Sequence, residues 1–209
     1  MVPLLEQAGC EAIAVDLTAD DSSKGRRDCA DIVVEAIGTR LNGVLVAQSL
    51  AGFTVPLVRA PHALRGLVLV NAMIPQPGET PGAWWGNTGA VDVRIAAAKA
   101  GGYTPQFCLP TYFLHDIPEA VLRGGPSRQR VQFDPVFGQP CEFEHWPGIP
   151  MRVIAAADDR FFPLEFQKRV ARGEAKCRGR GGPGRPLVAL SRPEELAARL
   201  LRFGRQASP

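Results

Sequence analysis

Histidine is scarce in this chain of 209 residues, with only His62, His115 and His145. Cysteine offers little more. Cys10, Cys29, Cys108, Cys141 and Cys177 are scattered, odd in number and without a C-x-x-C pair, so spacing indicates neither a disulfide framework nor a zinc ligand set. That usage fits a reducing cytoplasm. No apolar run approaches the roughly 20 residues of a membrane span, and residues 1–6 lack the basic start and apolar centre of a secretory leader. No G-x-G-x-x-G follows an apolar run, which argues against a dinucleotide cofactor, and no internal repeat is visible. Basic charge is also missing from the body of the chain. The net charge is +3, but residues 172–186 hold Arg172, Lys176, Arg178, Arg180 and Arg185 against Glu174 alone. The remainder is close to neutral and gives no reason to expect nucleic acid or an anionic membrane as a partner.

What is present is enough for one globular domain with a core of its own, at 45% hydrophobic and 22% charged residues. The chain is organised around Val44-Leu45-Val46-Ala47-Gln48-Ser49-Leu50-Ala51-Gly52, an apolar run that stops at a serine among small residues. This reads as a nucleophile elbow, with the Ser49 hydroxyl raised above the sheet edge and the backbone N–H of Leu50 facing a developing oxyanion. The usual G-x-S-x-G stands here as Ala-Gln-Ser-Leu-Ala, with its glycine one position late at Gly52. An ordinary strand-to-helix connection with Ser49 as N-cap is the alternative.

Around the elbow the chain alternates between elements. A helix ends at Gly9, Glu11 to Leu17 reads as a buried strand, and Asp28 opens a helix whose apolar face is Ala30, Val33, Val34 and Ile37. Leu50 to Ala60 reads as a helix kinked by Pro56, and Gly66 to Ala72 as a second continuous apolar strand. Strands without alternation, separated by helices, indicate an α/β fold with a mostly parallel sheet covered by helices on both faces. From Gln76 to Pro147 the texture changes to frequent proline and glycine, with Trp84, Trp85, Tyr112, Phe113, His115 and a short helix near 91–100. A cap inserted into a single domain spanning 1–209 reads this way, and a separate small domain is the alternative. The sheet resumes at Met151 to Ala157, a helix follows from Leu164 to Arg172, and Ser191-Arg192-Pro193-Glu194 reads as a capping box for a last helix carrying Leu196, Leu200 and Leu201.

Four of these pieces resemble one family. The elbow at Ser49, the strand before the cap, the acidic turn Asp158-Asp159-Arg160-Phe161-Phe162-Pro163 and the closing Leu190-Ser191-Arg192-Pro193-Glu194-Glu195-Leu196 are similar to α/β-hydrolases. The nearest branch is the small esterases similar to plant methylesterases and hydroxynitrile lyases. The resemblance implies Ser49 as nucleophile, an oxyanion contact from Leu50 and Asp159 as triad acid, with Asp158 its neighbouring alternative. It implies no cofactor and no metal. The substrate would be a small apolar ester, and whether the protein is a homodimer is left open. Gln48, His115, Trp84 and Trp85 are the expected pocket residues, with cap core the alternative for most of the aromatics.

The chain departs from the family in three ways. The family's histidine falls on Pro186, so the base that serine needs is missing. His62 and His145 precede strands and belong at the edge away from Ser49, about 23 Å off across seven residues of strand. His115 reads as a substrate contact or a cap-internal hydrogen bond ahead of a replacement base. The second departure is at the start, where a strand and His-Gly-type loop have no counterpart, implying truncation at the N-terminus. Their loss leaves a gap between residues 11–17 and the elbow strand, at about 1 to 3 kcal/mol for each backbone group left buried and unpaired. The third is residues 172–186, which carry Gly, Arg and Pro where a last strand belongs and cannot read as a strand. A local frame error recovering at Leu187 is favoured over a solvated loop or an Arg/Gly nucleic-acid contact. The chain is therefore expected to be a serine esterase by ancestry but weak or inactive as it stands. The alternatives are a non-catalytic ligand-binding or partner-stabilising relative and a hydroxynitrile-lyase-like enzyme, the latter needing the same histidine.

Overall fold

Leu67, Val68, Leu69 and Val70 are each 1% exposed or less. Side chains alternate across a strand, so burial of four consecutive residues requires cover on both faces. The computed structural model describes residues 1–18, 20–60, 62–124, 135–173, 180–182 and 188–207. In chain order its elements are α1 (Val2–Gln7), α2 (Arg26–Ile37), β1 (Gly43–Gln48), β2 (Leu64–Val70), α3 (Pro81–Thr88), α4 (Ala90–Gly101), α5 (Glu119–Arg123), α6 (Pro135–Gly138), β3 (Met151–Ala156), α7 (Leu164–Gly173), β4 (Arg180–Gly182), α8 (Val188–Ser191) and α9 (Pro193–Gln206). The four strands pair in the order β1-β2-β3-β4, all parallel.

Each face of the sheet has its own core. Leu67, Leu69 and Val153 point to the side where Ala30 of α2, Phe53, Trp84, and Phe166 and Val170 of α7 pack. Val68, Val70 and Ile154 point to the other, against Val188, Leu196, Leu200 and Phe203, with Leu5 of α1 at its margin. At about 1.5 to 3 kcal/mol for each large apolar side chain buried, these two layers hold the sheet between the helices. Gly66 sets how closely α9 approaches, because a Cβ there would lie 2.6 Å from the Phe203 ring. No helix among the described residues is long and apolar enough to cross a membrane.

Four local expectations need correction. Residues 11–17, strand-like in composition, pair with no strand. They face β1 across a groove of about 920 Å³ that both line, so the backbone has no ladder to join. Leu50 to Ala60 is not an α-helix but two 3₁₀ turns, Ser49–Phe53 and Val55–Leu57. Pro56 removes a donor and breaks the i→i−4 ladder, leaving Thr54 to donate to the Ala51 carbonyl and Leu57 to that of Thr54 at 3.0 Å each. Within 172–186, Arg180–Gly182 does form a short strand, paired with Ile154–Ala156. A parallel ladder needs only backbone groups, and β3 offers a free edge for them. The rest of that stretch beyond Gly173, Pro186 included, lies outside the described residues. The capping box does not form either. Ser191 ends α8 with its hydroxyl buried and without a partner among the described residues, and Arg192 is the N-cap of α9 with no side-chain cap.

Candidate active site

All strands run the same way, so their C-terminal ends share one edge. Ser49 follows β1, Asn71 follows β2, and Asp159 lies three residues past β3. Ser49 and Asn71 both sit in the left-handed region, at φ of 52° and 44°. For side chains other than glycine that costs of order 1 to 2 kcal/mol and persists only where the surroundings hold it. Here the Met73 N–H donates to the Ser49 carbonyl at 3.0 Å. Gly52 completes the turn, because a Cβ there would lie 1.9 Å from the Met73 carbonyl oxygen. The late glycine of the motif is thus the position where the turn from β1 meets the turn from β2.

Asp159 is 5% exposed, whereas Asp158 faces solvent. One carboxylate oxygen of Asp159 accepts from the backbone N–H groups of Phe161 and Phe162 at 2.8 and 2.7 Å. The other accepts from the Asn71 amide at 3.0 Å and the Gln167 amide at 3.4 Å. Asn71 in turn accepts from the Ala156 N–H at 3.0 Å, so one side chain ties the ends of β2 and β3 to the acid. Burial pushes Asp159 up to about 7. The N–H groups of Phe162 and Phe161 and the Asn71 amide pull the other way, and the charge of Asp116 adds to the rise.

Gln48, Ser49, Asn71, Phe113, Asp159, Phe161 and Phe162 line one cavity of about 320 Å³. Three of the expected residues, Gln48, Ser49 and Asp159, therefore share it. Leu50 is half-buried beside Ser49, packed on the core. Trp84 is fully buried, its indole N–H donating to the Ile74 carbonyl at 3.0 Å and its ring set edge-on to Phe162 and Phe166. It forms part of the core rather than a wall of the cavity, because its one polar group is satisfied within the fold. Trp85 packs on Phe161 and Phe162 from behind and does not line the cavity. His115 is half-buried just after a single π-helical turn, Pro110–Leu114, which carries Phe113 to the cavity, and is itself not among the lining residues. His62 and His145 are exposed and precede β2 and β3, at the opposite edge of the sheet. Among the described residues no histidine lines the cavity, and no group of three His, Cys, Asp or Glu side chains is placed to hold a metal.

Sequence reasoning missed Asn71 and Gln167. Asn71 had a readable signal, a lone amide at the end of a continuous apolar strand. Gln167 had none, being one polar position on an amphipathic helix.

The chain matches the alpha/beta hydrolase family over residues 1–199. Among solved structures it is similar to a pyrethroid hydrolase from Sphingobium faniae JZ-2, at 22% identity and a TM-score of 0.77 over 98% of this chain and 90% of that one. It is also similar to polyneuridine aldehyde esterase, at 19% identity and a TM-score of 0.73 over 97% and 91%. A third is a variant of tomato methylketone synthase I complexed with beta-ketoheptanoate, at 15% identity and a TM-score of 0.68 over 99% and 91%. At these identities the likeness speaks to the fold. No curated protein sequence matches the chain.

Proposed function

The chain belongs to the alpha/beta hydrolase family, and on that premise we propose that it acts on a small apolar carboxylic ester through Ser49. The observation that carries this reading is the Ser49 turn, held at a φ of 52° and opening into the cavity that Asp159 also lines. The Ser49 hydroxyl attacks the ester carbonyl, forming the Oγ–C bond. The oxyanion is met by the Leu50 N–H. Collapse breaks the carbonyl–alkoxy bond, and the hydroxyl proton passes through solvent water to the departing alkoxide to give the alcohol. The acyl-enzyme left behind is hydrolysed by water to the acid and free Ser49. Phe113, Phe161 and Phe162 give the acyl or alcohol group an apolar wall. Residues 76–147 would act as the cap over this site. The pyrethroid hydrolase and the polyneuridine aldehyde esterase of similar fold support the class of reaction.

The hydroxyl proton is the weak point. With no histidine among the described lining residues, acylation rests on positioning and on the oxyanion contact. That leaves the roughly 10³ to 10⁴-fold over water typical of a site without its base. We therefore expect slow acylation rather than efficient turnover. Intact-mass analysis after incubation with p-nitrophenyl acetate should show one acetyl group on the wild-type chain, slow to form, mapped to Ser49 and absent in Ser49→Ala. A rapid stoichiometric burst that survives His115→Ala would show a competent base elsewhere. An unlabelled Ser49 after prolonged exposure favours the second reading, a ligand-binding relative, which the same missing histidine supports.

A further inference from the structure

Asp159 is a buried carboxylate that no cation meets among the described residues. Among the described residues the four donors that reach it, the N–H groups of Phe161 and Phe162 and the amides of Asn71 and Gln167, are neutral. Arg160, in the same turn, and Lys168 and Arg169 of α7 are turned elsewhere. Arg160 lies over the Tyr103 ring at 4.7 Å and donates to the Thr111 carbonyl at 3.3 Å. Lys168 pairs with Glu165 at 2.6 Å, and Arg169 donates to the Thr88 carbonyl at 2.6 Å. A buried charge held only by dipoles gains from a counter-ion, and Asp159 lines a cavity whose other walls include three phenylalanine rings. Aromatic faces attract cations and give anions nothing.

We propose that this cavity is a binding site for a small organic monocation, an alkylammonium or imidazolium group, with the Asp159 carboxylate as counter-ion and Phe113, Phe161 and Phe162 around it. The site is independent of the esterase reading, since binding uses the carboxylate and the rings and does not require Ser49 to be a nucleophile. It also gives the ester reading a direction, because a substrate bearing an amine would place its charge against Asp159.

Protonation should be coupled to binding. Asp159 is pushed up to about 7; a cation stabilises its charged form, so binding near neutrality releases a proton. Among the described residues the titratable and charged groups around it are Asp116, which raises it, Tyr103, which feels its charge, and the chain neighbours Asp158 and Arg160. Asn71 and Gln167, from β2 and α7, are uncharged.

Calorimetric titration of the full chain with n-butylammonium chloride, against n-butanol as the neutral match, tests the site. At pH 8 the ammonium should bind at least about tenfold tighter than the alcohol. The preference should fade as the pH falls to 5, while butanol binding stays the same. Asp159→Asn should abolish the preference and keep butanol binding, which also shows that the variant is folded. Ser49→Ala should leave the preference in place, so a failure to acetylate Ser49 and a failure here are separate results. Equal binding of the two probes at pH 8, a preference that persists in Asp159→Asn, or one indifferent to pH overturns the proposal.

Discussion

Strand β1 ends in a site and is flanked by a groove. At its C-terminal end every turn is met by a neighbour: Gly52 abuts the Met73 carbonyl, Met73 donates to Ser49, and Asn71 joins β2, β3 and Asp159. Along its other flank the same strand pairs with no strand among the described residues. Val46, 43% exposed, and Ile13 and Leu41, at 48% and 70%, border the groove between β1 and residues 10–17. Among the described residues, the groups that hold the Ser49 turn and Asp159 come from the β2 and β3 side of the sheet. The hydrogen bonds that join these turns come from β2, β3 and the segments after them, whereas the flank of β1 borders an apolar groove shared with residues 10–17.

The comparison breaks most sharply at Gly52. Gly52→Ala drives a Cβ into the Met73 backbone and should cost at least about 4 kcal/mol, read as loss of the urea unfolding midpoint. A smaller effect would mean that the two turns are less tightly joined than described. Next is the pH dependence of stability. Asp159 has a folded pKa raised from 3.8 to about 7, so the folded state holds its proton more tightly than the unfolded chain. Its contribution is best below pH 4 and is lost as pH rises through 7, by about 2 to 4 kcal/mol. The difference between wild type and Asp159→Asn across pH 4 to 8 should show that slope, and a flat difference would mean the carboxylate is better solvated than its burial implies. Ser49→Gly should stabilise by about 1 kcal/mol by relieving the positive φ while removing the proposed nucleophile. A destabilised variant would place the Ser49 side chain in the packing rather than the chemistry. On the flank, Val46→Thr should change the unfolding midpoint by less than about 0.5 kcal/mol. A larger loss would show that the groove side is packed after all.

Much of the sheet side was legible. The apolar runs of β2 and β3 are continuous because both faces are covered, and the elbow announces itself by small residues around one serine. Asp159 could be separated from Asp158 only by its resemblance to a motif, and burial now separates them physically. Trp84 looked like a pocket residue because large aromatics in a Pro/Gly-rich stretch look alike whether they face a cavity or a core. Which of the two holds is decided by where the indole N–H finds its acceptor, and that acceptor, the Ile74 carbonyl, is ten residues away.

Local pattern by itself determined the class of fold, the parallel sheet, the serine at its edge and the scarcity of histidine. Those are matters of composition, periodicity and short spacing. Only the tertiary structure decided that residues 11–17 are no strand, that Arg180–Gly182 is one, and that Asn71 and Gln167 hold the acid. A strand exists only where another backbone accepts its hydrogen bonds, and a buried carboxylate is set by donors that arrive from distant parts of the chain. Neither condition is written at the residue that depends on it.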